Sequence, residues 1–219
     1  MTEPALSELL VVEVGRQVAV RYCGLLFRRL GATVLVVEPP GSDEPSSDLN
    51  AGKESMTLDL ARPEGGALLG RLAEQADVLV ADDSLPAELD CARLSRRNPR
   101  LIVTCISGAP LDDAAQRFVG LNAFTATLLP LITMSVLGRG QRIEVDGAEC
   151  LAAAAMLVGD GQVPLETREP AAGELPFTVE GVVPPEPVSP AGRHNDEIYC
   201  ELLGLTGDEL ARLRREAIV

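Results

Sequence analysis

The chain predicts an α/β fold built on a mostly parallel, doubly wound sheet, and three observations carry that expectation. Short apolar runs rich in β-branched residues recur at Leu9 to Val14, Thr33 to Glu38, Asp77 to Ala81 and Leu101 to Ile106, as in parallel strands covered on both faces. Helical patterns separate these runs, so strand and helix alternate, and right-handed crossovers follow. Between the first two runs, a helix sets Val18, Tyr22, Leu25, Leu26 and Leu30 on one side and Arg21, Arg28 and Arg29 largely on the other, with Gly31 as its stop. The turn Glu13 to Gln17 holds a single glycine and no GxGxxG, so dinucleotide binding has no support.

Taken in order, residues 39–47 are loop by composition, rich in Pro, Gly, Ser and acid. Ser55 to Leu60 reads as a short strand. Pro63-Glu64-Gly65 opens a helix with proline at a tolerated first-turn position and an acid near the positive end, and Leu68, Leu69 and Leu72 face inward. A helix is expected over Leu85 to Arg97. Ser107-Gly108-Ala109-Pro110 breaks the alternation, and a long apolar helix follows, about Phe118 to Leu137, with Pro130 expected to kink it. Arg142 to Asp146 reads as a strand and Gly147 to Val158 as an alanine-rich helix. Residues 159–192 collect prolines and read as an extended surface connector. Two tail helices, about Asn195 to Leu203 and Gly207 to Glu216, complete a division into a core (1–158), a connector (159–192) and C-terminal helices packing back on the core (193–219).

A net charge of −14 excludes a nucleic-acid partner, whose phosphates need a basic face. With 3% aromatic residues and no Trp, stacking platforms for bases are scarce. No run is expected to span a bilayer, and Met1 to Ser7 lack the basic-then-apolar pattern of a secretory signal. The five cysteines (Cys23, Cys91, Cys105, Cys150, Cys200) stand singly, with no metal-ligand spacing. Reduced thiols, no metal site and a cytoplasmic location without membrane contact are therefore expected.

Several motifs occur in a fixed order. They are Leu30-Gly31-Ala32-Thr33-Val34 into Val37-Glu38-Pro39-Pro40-Gly41, Leu49-Asn50-x-Gly52-Lys53-x-Ser55-x-Thr57-Leu58-Asp59-Leu60, Pro63-Glu64-Gly65, Ala76-Asp77-Val78-Leu79, Asn98-Pro99-Arg100-Leu101-Ile102 and Gly138-Arg139-Gly140-Gln141, with His194-x-Asp196-Glu197-Ile198 and Leu202-Leu203-Gly204-Leu205 in the tail. In this order they resemble family III of the CoA-transferases, the formyl-CoA/carnitine or CaiB/BaiF group. The resemblance implies a Rossmann-like domain and a second, small domain that is largely deleted here. It also implies interlocked dimers and transfer of CoA between carboxylates through an aspartyl thioester; racemases of α-methylacyl-CoA belong to the same group.

Carried over by the resemblance, the nucleophile position falls on Gln116, with Gly120 taking the place of the helix glycine. A carboxamide neither forms the mixed anhydride nor carries CoA as a thioester. Asp112 and Asp113, one turn earlier, are the candidate replacements, or else cap the helix and face solvent. The contacts expected for CoA are also altered. Pro39 and Ala61 stand where the family has basic residues, and Asp82-Asp83 replace an Asn-Phe pair that cradles the nucleotide. Each like-charge contact at about 4 Å costs on the order of 4 kcal/mol at an effective dielectric constant of about 20. Lys53 keeps a Gly-Lys position. His194, the sole histidine, coincides with the start of a C-terminal helical segment, which favours a structural role.

The candidate catalytic set is therefore Asp112, Asp113, Glu13 and Gln116, with Arg16, Gln17, Val18 and Lys53 as candidate substrate-binding residues. Glu13 is read either as an acid with a raised pKa at a strand's carboxyl end or as a strand-edge residue turned to solvent. Arg16 and Gln17 at the same rim suit a carboxylate. Three functions stay open: a repurposed small-molecule enzyme with acid/base side chains and no cofactor, CoA being disfavoured; a compact, active acyl-CoA transferase or racemase; and a non-catalytic subunit of a full-length relative. A homodimer is expected, or a hetero-oligomer in the third case.

Overall fold

A computed structural model of the chain describes residues 3–41, 48–83, 85, 91–108, 112–158, 176 and 179–219. Six strands form one sheet in the order β3-β2-β1-β4-β5-β6: β1 (Leu10–Val14), β2 (Thr33–Glu38), β3 (Glu54–Thr57), β4 (Val78–Asp82), β5 (Ile102–Ser107) and β6 (Arg142–Asp146). Every pairing is parallel. Because the order reverses between β1 and its neighbours β2 and β4, the carboxyl ends of β1 and β4 open a crevice at a topological switch point.

Strand parity divides the core into two layers. Val12 and Val14 of β1, with Leu35, Val37 and Met56, meet α2 (Pro63–Gln75) through Leu68, Leu69 and Leu72, and meet Leu94 of α3 (Cys91–Arg97). The expected helix start at Leu85 cannot be compared, since residues 86–90 lie outside the described residues. Val11, Val34, Val78 and Val80 face the other layer, made by α1 (Val18–Arg29) and α4 (Asp113–Leu137). Phe27 and Phe124 pack there edge to face, with centroids 4.8 Å apart. At Gly120 a Cβ would stand 2.5 Å from the Ala19 carbonyl oxygen, so the glycine is what lets α4 lie this close to α1.

The helix after β5 differs from expectation in extent. It starts at Asp113, capped by Asp112, and runs unbroken through Pro130 to Leu137. Its 25 residues make it long and apolar enough to cross a membrane by length and composition alone, which corrects the expectation that no run is. The expected end at Leu137 agrees with the structure, and the difference is at the start, five residues before Phe118. One third of its most apolar window is buried. Leu129, Ile132 and Val136 are exposed, as is Met156 of α5 (Gly147–Val158). Cys105 is disulfide-bonded, against the expected reduced thiols, because spacing along the chain carries no information on which sulfurs adjoin once strands stack.

The tail seals the free edge of β3. The main chain of His194 donates to Ser55 O at 3.0 Å and the ring nitrogen Nδ1 accepts from Ser55 N at 3.0 Å. Asn195 Oδ1 accepts from Thr57 N at 2.9 Å, and the Tyr199 hydroxyl donates to Thr57 O at 2.7 Å. Side chains thus satisfy the edge groups that would otherwise template another strand. The segment Glu197–Leu202 is a π-helix rather than the expected α-helix. It is followed by α6 (Gly207–Arg215), opened by a capping box between Thr206 and Glu209. Ile198, Tyr199, Leu203, Leu210 and Leu213 join the apolar layer that holds α2. Of the connector, residues 159–175, 177 and 178 lie outside the described residues. Its later part bridges Val188 to Ala51, and Glu186 pairs with Arg28 at 2.8 Å.

Candidate functional site

The turn that joins β1 to α1 is the floor of the crevice between β1 and β4. Asp82, the last residue of β4, is almost wholly buried, and its Oδ2 accepts from Arg16 N at 2.8 Å and from Gln17 N at 3.0 Å. Asp83 Oδ1 accepts from the Gln17 side-chain amide at 3.1 Å. Gly15, with φ of 154°, makes this fit possible, since a Cβ there would lie 2.5 Å from Asp82 Oδ2.

From the opposite side comes α4. Gln116 lies four residues before Gly120, on the same helical face, and its Oε1 accepts from Ala19 N at 3.4 Å, in the first turn of α1. The next residue, Arg117, sets its guanidinium 5.4 Å from the centre of the ring of Tyr22, one turn along α1 from Ala19. Asp112 is the N-cap of α4, its Oδ1 accepting from Ala115 N at 2.8 Å, and Asp113 is an exposed acid of the first turn.

The crevice therefore gathers Arg16, Gln17 and Gln116, with Asp82 and Asp83 added, while Val18, the first residue of α1, packs partly buried against the apolar layer of α1 and α4. Two more expected members lie elsewhere. Glu13 neither faces the rim nor turns to solvent. Its parity in β1 directs it beneath α1, where it is wholly buried and Lys53 Nζ donates to its Oε2 at 2.5 Å. Lys53, expected to hold substrate, is equally buried and also donates to Arg21 O at 2.8 Å. The pair fits only because α1 carries Gly24 at the crossing, where a Cβ would come within 1.8 Å of Glu13 Oε2. Burial pushes the Glu13 carboxyl above its ordinary value, with the Lys53 ammonium pulling the other way, and burial lowers Lys53. Glu13 Oε1 has no hydrogen-bond partner, which adds to the cost of its charge.

Sequence reasoning assigned Asp82 and Asp83 only a repulsive part and missed their hold on the turn. The available signal was an acid at the end of a strand adjoining a glycine-containing strand–helix turn. The Arg117–Tyr22 contact had no such signal, since it joins two helices far apart in the sequence, α4 and α1. Among the described residues, no three His, Cys, Asp or Glu side chains cluster as a metal site would require.

A family model described as CoA-transferase family III matches residues 6–135. The α-methylacyl-CoA racemase of Homo sapiens is 37% identical over 120 residues, covering 53% of this chain and 31% of the racemase. The succinyl-CoA–D-citramalate CoA-transferase of Chloroflexus aurantiacus is 33% identical over 123 residues, covering 47% of this chain and 30% of that enzyme. Among solved structures, a CaiB/BaiF family protein from Brucella suis superposes with a TM-score of 0.62 at 26% identity, covering 72% of this chain and 58% of that one. A Mycobacterium tuberculosis protein superposes at 0.64 with 20% identity over 72% of this chain and 59% of its own, a likeness of fold. The match spans under a third of the length of the two curated relatives.

Proposed function

The chain belongs to CoA-transferase family III, and from that premise we propose that it is a member in which covalent CoA transfer has been given up and the strand-end crevice serves a small molecule. One observation carries the reading. Gln116, which the resemblance sets at the nucleophile position, holds its amide oxygen toward the N-terminus of α1 at Ala19 N. An aspartate carboxylate at this place would attack an acyl-CoA carbonyl and expel CoA thiolate, giving a mixed anhydride; the thiolate would then attack the aspartyl carbonyl, releasing the free acid and leaving an aspartyl-CoA thioester. An amide has too little nucleophilicity for the first step and forms no thioester in the second.

The chemistry left to the crevice is positioning and proton transfer. The Arg16 guanidinium is exposed at the rim and suits a substrate carboxylate. The Gln116 amide, at the N-terminus of α1, adjoins that rim. Asp112 and Asp113, about one helical turn before Gln116, are the candidate bases, although Asp112 already accepts a backbone N–H as helix cap. Glu13 and Lys53 take no part, lying beneath α1. Neither CoA nor another cofactor is needed for such chemistry.

A second reading has its own support. The exposed apolar side chains of α4 and α5, among them Ile132, Val136 and Met156, suit a subunit that pairs with another chain, either a second copy or a full-length relative. Thermal shift with CoA and acyl-CoAs tests the first reading. A ligand at a hundred times its Kd adds about 2.7 kcal/mol, and the reading expects no such gain from CoA. A saturable stabilisation by acyl-CoA would restore the compact transferase or racemase. Aggregation of the chain alone, relieved by a full-length relative, would favour the subunit.

A further inference from the structure

We infer that Asp82 is a specificity-determining residue: its carboxylate fills the anion cradle at the switch point and bars phosphate-bearing ligands from the β1–α1 turn. The inference rests on the reading that the strand ends form the site. In doubly wound sheets, the crevice beyond the carboxyl ends of the strands receives ligands at the point where the order reverses. There, backbone N–H groups at the start of a helix attract anions. In this chain the N–H groups of the turn that leads into α1, Arg16 N and the N-cap Gln17 N, both donate to one oxygen of Asp82, at 2.8 and 3.0 Å. The acid comes from β4, the strand paired with β1 across the crevice, so the sheet itself delivers it.

Three further features show that the fit is built in. Asp82 is almost wholly buried, so its charge has little water to rely on, and these two donors help to offset that loss. Gly15 leaves the room it needs, since a Cβ would lie 2.5 Å from Oδ2. Asp83 fastens the Gln17 side chain at 3.1 Å, which holds the turn in the donating conformation. The protein thus supplies from within the negative charge that a phosphate ester would otherwise bring. A ligand phosphate would find the donors occupied and a like charge beside it. The ligand atoms that meet this turn are then neutral or cationic, and a ligand carboxylate is left with the Arg16 guanidinium rather than the backbone.

The test uses inorganic phosphate as probe on the full chain, comparing wild type with Asp82→Ala and Asp82→Ser at constant ionic strength, with chloride as control. Charge-assisted hydrogen bonds from two released N–H groups predict phosphate binding tighter by roughly tenfold or more in the variants, with the amide resonances of Arg16 and Gln17 shifting on titration. Phosphate that binds variant and wild type alike, or that shifts amides elsewhere, overturns the inference. If neither variant folds, Asp82→Asn, which keeps the shape of the side chain and removes its charge, takes their place. Phosphate that binds this variant no more tightly than wild type is then fatal. A wild type that binds CoA while the phosphate comparison behaves as expected sinks the functional reading and leaves this inference standing.

Discussion

Replacing Lys53 by Met is the substitution that most sharply separates a buried structural pair from a ligand handle. It removes the ammonium and leaves Glu13 beneath α1, wholly buried, with one oxygen already lacking a partner. Breaking a buried ion pair from one side costs about 3–5 kcal/mol. For a chain of 219 residues, at about 2–4 °C per kcal/mol, the melting temperature should fall by roughly 6–20 °C. The loss must also depend on pH. Burial holds the folded-state Glu13 carboxyl above its ordinary value, and without Lys53 the chief opposing influence is gone. A carboxyl raised in this way keeps its full contribution below the unfolded pKa and loses it as pH rises through the folded one. The deficit of the variant should therefore be large near pH 8 and shrink toward pH 5. The pair Glu13→Leu with Lys53→Met should recover most of the loss, because an apolar replacement of both partners is often neutral or stabilising. Thermal unfolding followed by circular dichroism at both pH values reads all of this. A single variant that loses under about 1 kcal/mol, or whose deficit is the same at both pH values, would refute the reasoning.

Gly24→Ala should destabilise by at least about 1–3 kcal/mol, since the added methyl would meet Glu13 Oε2 at 1.8 Å; denaturant titration measures it. Tyr199→Phe should cost about 1–3 kcal/mol by stripping Thr57 O of its buried donor, and hydrogen exchange should show the β3 edge opening first. Asp112→Ala should cost about 1 kcal/mol of stability through the lost helix cap, which a melting curve would register. Gln116→Asp should keep the fold, since an acid suits the first turn of α4 and the nearby N-terminus of α1, and should gain hydroxylamine-sensitive adduct with acyl-CoA only if the rest of the site is still competent.

Much of the sheet was legible because parallel strands buried on both faces write themselves as short β-branched runs, as at Val34 to Val37 and Val78 to Ala81. The tail helix α6 was legible from acids at its start and arginines at its end. The site was harder. Glu13 was visible as an acid inside an apolar run, but its fate depends on strand parity and on Gly24 of α1, which leaves room for it. Lys53 reads as a surface lysine after a glycine until the fold carries it across β2 to Glu13. The reach of α4 past Pro130 to Leu137 was legible, but its start at Asp113 was not, because the polar and small residues Asp113 to Arg117 carry no apolar run and only the Asp112 cap marks the helix there. His194 was placed in a structural role on its position alone, and the bond from Ser55 N to its Nδ1 supplies the reason.

The most direct measurement of the central claim is intact-mass analysis of the purified chain after incubation with succinyl-CoA or an α-methylacyl-CoA, with and without hydroxylamine. The account predicts an unmodified mass in both cases, because Gln116 offers no carboxylate to acylate. A hydroxamate on Asp112, Asp113 or any other aspartate of this chain would contradict it.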